Sequence, residues 1–198
     1  QEYCANFSLV KFSIQKSALD IMTLYTRSGD NGSSNLWGNR LPKDNPKFEA
    51  LGSLDELNSF IGLAVATIKD KQIKDILIDV EQKLFIIQAE VGGAKGELAK
   101  KFAPKETQKL EELIDKLEEE IGQVKKFVLP GGTKEAALLD IVRAVARRTE
   151  RALMALHQKS SLNPAIITYI NRLSTLFFAL ARVINKKANF KEQNPSYQ

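Results

Sequence analysis

From Ser53 to Lys186, apolar residues recur every three or four positions in five successive stretches, and a cap or a breaker separates each stretch from the next. That period commits the chain to helices, because a half-buried strand needs alternation at every second residue. The first stretch (Leu54, Leu57, Ile61, Ala64, Val65, Ile68) opens on Ser53-Leu54-Asp55-Glu56. This is a capping-box spacing, in which the hydroxyl and the carboxylate satisfy opposite first-turn donors. The second (Ile73, Ile76, Leu77, Val80, Leu84, Ile87, Val91) stops at Gly92-Gly93. Pro104 opens the third at a first helical position, with Leu110, Leu113, Ile114, Leu117, Ile121 and Val124 as its stripe. A fourth helix is expected from about Lys134 to His157, and a fifth from the Asn163-Pro164 cap to about Lys186. No strand pattern of consequence is present. The expected class is all-α, a five-helix antiparallel bundle.

With 198 residues, 43% of them hydrophobic, the chain suits one domain with a substantial core. Residues 1–21 are poorly patterned and read as a poorly ordered extension, 22–187 as the helical domain and 188–198 as a polar, frayed tail. One cysteine, Cys4, excludes an internal disulfide and fits a reducing, cytoplasmic setting. One histidine, His157, with no ligand-like spacing, argues against zinc, and no protein-held metal is assigned. No apolar run approaches the roughly 20 residues that span a bilayer, so no membrane is expected. The net charge of +5 is mixed with 24 acidic residues and lacks an aromatic-studded basic run, which speaks against nucleic acid.

Two polar clusters remain. Upstream of the helices, in a polar loop region over residues 22–47, lies Tyr25-Thr26-Arg27-Ser28-Gly29-Asp30-Asn31-Gly32-Ser33-Ser34. Such a segment offers backbone N–H groups, hydroxyls and a cation to a polyanion, although Gly-Asp-Asn-Gly is equally good turn chemistry. On the fourth helix, Leu138, Ile141, Val142, Val145, Ala152 and Leu156 form the expected apolar side. Asp140, Arg143, Arg147, Glu150 and Arg151 share the other stripe. A solvated face laced with weak ion pairs would look the same. Yet its stripe cations are all arginine, the planar bidentate choice for phosphate. The fifth helix carries its own polar series of Asn171, Ser174, Thr175, Arg182 and Asn185, and two facing stripes suit a ligand cleft or a subunit interface.

These clusters resemble the PduO-type ATP:cob(I)alamin (corrinoid) adenosyltransferases from about Met22 to Lys187. Four blocks carry the resemblance: the loop segment just quoted; Gly52-Ser53-Leu54-Asp55-Glu56-Leu57-Asn58-Ser59-Phe60-Ile61-Gly62; Phe127-Val128-Leu129-Pro130-Gly131-Gly132-Thr133; and Arg147-Arg148-Thr149-Glu150-Arg151 with Ile170-Asn171-Arg172-Leu173-Ser174. The resemblance implies a homotrimer binding ATP, Mg²⁺ and cobalamin between subunits, and transfer of the 5′-deoxyadenosyl group to reduced cobalt with release of triphosphate. A flavin-type reductase and a cobalamin-dependent enzyme are the partners it suggests. It places Thr26, Arg27, Gly29, Asp30, Gly32, Ser33, Ser34 and Lys43 around the triphosphate, and Arg147, Glu150, Arg151 and Asn171 on the nucleotide from the helical side. Asp55 and Arg143 match a pair bridging subunits beside the corrinoid. Phe127 matches an aromatic that displaces the lower axial ligand, with Phe178 in the same apolar wall. The chain departs from the family pattern at Asp140 (commonly histidine), Thr149 (alanine), Thr175 (aspartate) and Ser34 (threonine). Two other readings stay open on residues alone: a protein of this fold that binds without turnover, and a structural helical oligomer.

Overall fold

Asn45 and Pro46, rather than Ser53, start the first helix. In the computed structural model, which describes residues 25, 27–122 and 126–196, Asn45 is extended and its side chain accepts from the Lys47 N–H at 2.9 Å. Pro46 takes a first-turn position, where its missing N–H costs nothing. The helix α1 therefore spans Pro46–Thr67, and the capping-box residues lie inside it. There Ser53 is buried and its carbonyl accepts the Thr149 hydroxyl at 2.9 Å. The remaining helices are α2 (Lys71–Gly92), α3 (Pro104–Ile121), α4 (Lys134–Lys159) and α5 (Pro164–Lys187), all close to the expected bounds. Gly93 closes α2 in the left-handed conformation. Val124 of the expected third stripe, like residues 1–21, lies outside the described residues.

The polar region before α1 is not all loop. Strands β1 (Ser33–Leu36) and β2 (Asn39–Pro42) form an antiparallel hairpin. Its two-residue turn, Trp37-Gly38, has both φ angles positive, 50° and 87°, the conformation that matches strand twist. The indole of Trp37 sits on the last turn of α2: its Nε1 is 3.0 Å from where a Cβ on Gly92 would stand. Glycine there lets the hairpin seat directly on the helix.

Helix contacts give the lateral order α2–α1–α4–α5–α3. Short connections make α1 and α2, and α4 and α5, antiparallel, whereas α3 runs parallel to α5, with Thr107 meeting Ala165, Glu111 meeting Arg172 and Glu120 meeting Lys186. Leu54, Leu57 and Ile61 of α1, Leu77, Leu84 and Ile87 of α2, Leu139, Val142 and Leu153 of α4, and Leu173, Phe177 and Leu180 of α5 are fully buried. Helix α5 is long and apolar enough by composition to cross a membrane, yet 56% of its apolar window is buried inside the bundle. It is the core helix, packed on both α4 and α3. One expectation fails on α4. Ile141 is 48% exposed and Leu138 only half-buried, while Asp140 is buried. The helix is turned so that a carboxylate, not an isoleucine, faces inward, for a reason given by its partners below.

Asp70 joins the start of α2 to the end of α5. It caps α2, accepting from the Gln72 and Ile73 N–H groups, and pairs with Lys187 of α5 at 2.9 Å. The Lys187 bond, aided by those amides, outweighs burial and lowers the Asp70 carboxyl below its usual range. Stability from a depressed carboxyl is present above the usual aspartate value and is lost as pH falls from there through the lowered one. Asp70→Ala is expected to cost about 1 kcal/mol, mostly the cap, because the ion pair is solvent-screened. Urea unfolding at pH 7 and pH 3 checks it: the deficit should shrink in acid, and a constant deficit would contradict the assignment.

Candidate functional site

The turn over residues 126–133, ahead of α4, is built by packing that only glycine permits. A Cβ on Gly132, whose φ is +109°, would meet Asn185 Oδ1 at 2.2 Å. The Asn185 carboxamide uses that proximity fully. Its Oδ1 accepts from the Thr133 N–H at 3.1 Å, and its Nδ2 donates to the Gly131 carbonyl at 2.9 Å and to Glu192 Oε1 at 2.9 Å. Thr133 then caps α4, its hydroxyl accepting from the Ala136 N–H.

Asp140 is the second anchor of this turn. Its Oδ2 accepts from the Gly131 N–H at 2.9 Å and from Arg182 Nη2 at 2.8 Å, and its Oδ1 lies 3.4 Å from Arg143 Nε. Arg182, 1% exposed, also places Nε 3.0 Å from Glu192 Oε1, a charge contact rather than an aligned hydrogen bond, and its guanidinium lies over the Phe178 ring at 5.1 Å. Asp140 is therefore removed from the arginine stripe on which spacing alone placed it. The same correction applies to α5: Ser174, Arg182 and Asn185 are buried, and only Asn171 and Thr175 of that series are exposed.

Around these anchors lies a cavity of about 540 Å³ lined by Phe127, Val128, Pro130, Asp140, Arg143 and Phe178. Phe127 and Phe178 thus share one wall. Phe127 is 81% exposed, so none of the described residues covers its ring. A second cavity of about 720 Å³ continues across α1 and α4, sharing Pro130, Asp140 and Arg143 and adding Glu56, Phe60, Ile141, Arg148 and Arg151. Asp55 is exposed beside it, and the ion pair that joins α1 to α4 is Glu56–Arg148 at 2.5 Å.

The helical polar set is joined in two separate pairs. Asn171 Nδ2 donates to Glu150 Oε1 at 2.6 Å across α5 and α4, and Arg151 Nη1 donates to the Arg147 carbonyl at 3.0 Å. Arg147 is exposed and, among the described residues, its guanidinium makes no ion pair.

The loop is tied to itself and to β2. Lys43 N–H donates to the Gly32 carbonyl at 2.9 Å, and the Lys43 Nζ sits 3.4 Å from the Cβ position of Gly29. Gly32 has φ +77°, and Arg27, at φ 58°, lies over the Tyr25 ring at 5.4 Å. Ser34 pairs with Leu41 in the hairpin, Asp30 is exposed, and Thr26 lies outside the described residues. The loop's organiser is a residue the sequence reading missed. Arg40 donates to Ser33 Oγ at 2.8 Å, to Asn31 Oδ1 at 2.9 Å and, closely, to the Ser28 carbonyl, while the Ser33 hydroxyl donates to Asn31 Oδ1 at 2.7 Å. Only the hairpin register, which sets Arg40 opposite Asn35, would have revealed it.

A family model described as cobalamin adenosyltransferase matches residues 24–184. The corrinoid adenosyltransferase of Bacillus subtilis (strain 168) is 40% identical over 174 residues, covering 84% of this chain and 89% of that protein. The Homo sapiens corrinoid adenosyltransferase is 34% identical over 184 residues, covering 87% and 73%. Among solved structures, a variant PduO-type ATP:corrinoid adenosyltransferase from Lactobacillus reuteri, complexed with cobalamin and ATP, superposes with a TM-score of 0.81 at 32% identity. It covers 87% of this chain and 99% of that one.

Proposed function

The chain belongs to the cobalamin adenosyltransferase family and is an ATP:corrinoid adenosyltransferase, and we propose how its own residues carry that activity. The reaction moves the 5′-deoxyadenosyl group of ATP onto the cobalt of cob(I)alamin. The cobalt lone pair attacks the ribose C5′, the C5′–O bond breaks, and its electron pair leaves with triphosphate. Cobalt is itself the nucleophile, so no activated serine, cysteine or lysine is needed. The protein must align cobalt with C5′ and stabilise charge on the departing phosphates.

The cavity shared by Phe127, Phe178 and Arg143, continuous with the arginine-lined face of α4, is the observation that carries this assignment. Phe127 would press on the lower corrinoid face and keep the axial base and water from cobalt. Arg147 and Arg151 would meet the nucleotide from α4, with Glu150 and Asn171, already bonded to each other, accepting from and donating to the ribose or adenine. The Arg40-braced loop, with Arg27 and Lys43, would wrap the triphosphate. Mg²⁺ fits this loop as a phosphate-borne ion, with Asp30 as its nearest carboxylate in sequence, and it would neutralise leaving-group charge.

A homotrimer follows on this reading, with the loop of one subunit meeting the guanidinium groups of the next. Leu63, Ile141 and Met154, exposed on α1 and α4, are apolar surface that a second copy would cover. Asp55 and Arg143, which do not pair within the protomer, would meet across that boundary. A cytoplasmic location and delivery from a flavin-type reductase to a cobalamin-dependent enzyme complete the proposal.

An anaerobic assay with ATP and reduced cobalamin tests it. Alkyl-cobalt absorbance and stoichiometric triphosphate are expected, and Arg147→Ala should lower kcat/KM roughly a hundredfold or more, the scale for losing one transition-state donor. ATP-dependent thermal stabilisation without alkyl-cobalt formation would instead indicate a protein that binds and does not turn over.

A further inference from the structure

The chain beyond α5, expected to fray, turns back along the Phe127 loop and bonds to it at two places. The Leu129 N–H donates to the Gln193 carbonyl at 2.8 Å, and Asn194 Nδ2 donates to the Phe127 carbonyl at 2.7 Å. One residue earlier, Glu192 is fixed to the bundle by Arg182 at 3.0 Å and by the Asn185 carboxamide at 2.9 Å. That carboxamide also holds the Gly131 carbonyl, so one amide grips both the tail and the loop.

We propose that residues 192–194 form a strap that positions Phe127 for the corrinoid, with Glu192 and Asn194 as positioning residues that touch neither substrate. The proposal rests on the reading of Phe127 given above and adds what aims it. An aromatic ring that is 81% exposed has no packing of its own to hold it. Its placement must come from the backbone. Residues 126–132 are neither helix nor strand, and a segment of that kind left free would lose conformational freedom each time the corrinoid bound. The strap fixes the loop beforehand at residues 127 and 129, while Asp140 and Asn185 fix it at 131. Binding then meets a wall already in place, which is how preorganisation raises affinity.

Asn194→Ala removes one bond at the loop and leaves the buried anchors untouched. Asn194→Asp sets a carboxylate against the Phe127 carbonyl. Both are compared with a chain ending at Asn189 and with Phe127→Ala, each with ATP and corrinoid varied separately. An apolar ring that keeps the base and water off the lower face favours four-coordinate cobalt before reduction. The fraction of four-coordinate cob(II)alamin is therefore read by visible absorbance, and hydrogen exchange is followed at the Leu129 amide. The alanine variant should raise the corrinoid KM about three- to tenfold, the factor one hydrogen bond is worth, and the aspartate variant more. Both should deplete the four-coordinate form while leaving the ATP KM within about twofold. The shortened chain should also speed exchange at Leu129. Unchanged exchange there overturns the strap. Faster exchange with unaltered corrinoid constants overturns its positioning role, as do equal losses for ATP and corrinoid. If Phe127→Ala keeps the four-coordinate signal, the reading of Phe127 fails and the strap's purpose fails with it; if only the strap variants keep it, Phe127 stands and the strap does not.

Discussion

Asp140→Ala is expected to destabilise the protein by about 3–5 kcal/mol, the range for removing one partner from a buried ion pair. Asp140 and Arg182 side chains are 5% and 1% exposed, so alanine would leave a guanidinium nearly out of water with only Glu192 to answer it. It would also orphan the Gly131 N–H. Asp140→Asn should cost less, because its amide oxygen can still accept from Gly131 while the countercharge is lost. Urea unfolding of the three proteins measures the order. A loss under 1 kcal/mol for the alanine variant would mean that Glu192 alone neutralises Arg182, and that Asp140 does not hold the turn. This departure from the commoner histidine is thus structural in the chain's own terms: a carboxylate placed between two arginines and a backbone amide.

Phe127→Ala is expected to leave ATP affinity within about twofold and to cut turnover on the order of a hundredfold or more, an effect the size of losing one oriented catalytic group. The separation follows from position. Phe127 lines the cavity with Phe178 and Arg143, whereas Arg147, Glu150 and Asn171 line neither that cavity nor the one that continues from it. Removing an exposed ring creates no void in the core, so folding should be untouched, and an unchanged unfolding midpoint is part of the prediction. Steady-state kinetics with each substrate varied in turn decides it. Equal losses in ATP affinity and rate would show that the ring belongs to nucleotide binding.

What the sequence disclosed was local. Gly92-Gly93, Pro104 and Asn163-Pro164 each end or begin a helix through their own backbone chemistry, and the structure places those boundaries within a residue. Ser53-Glu56 misled because a capping box is also a pattern that a helix interior can contain, and Asn45-Pro46 lies upstream of it. The hairpin was missed because four-residue strands carry too little alternation, and its turn uses Trp37 where asparagine is usual. Spacing put Asp140 beside Arg143, which is correct at 3.4 Å, but spacing carries no depth. The partner that draws it inward, Arg182, is on another helix. Arg40 and the tail escaped for the same reason: their bonds cross the chain rather than follow it.

The hairpin turn resting on Gly92 gives the molecule a built-in optical reporter. Trp37 is the sole tryptophan, 40% exposed, and the strands it joins carry Ser33 and Ser34 at one end of the loop proposed to wrap the triphosphate. Its emission therefore reads a single location, wedged between helix and solvent, with no second indole to dilute the signal. On the proposed role of that loop, arrival of nucleotide is expected to change the intrinsic fluorescence, with no label attached and no coloured corrinoid in the cuvette.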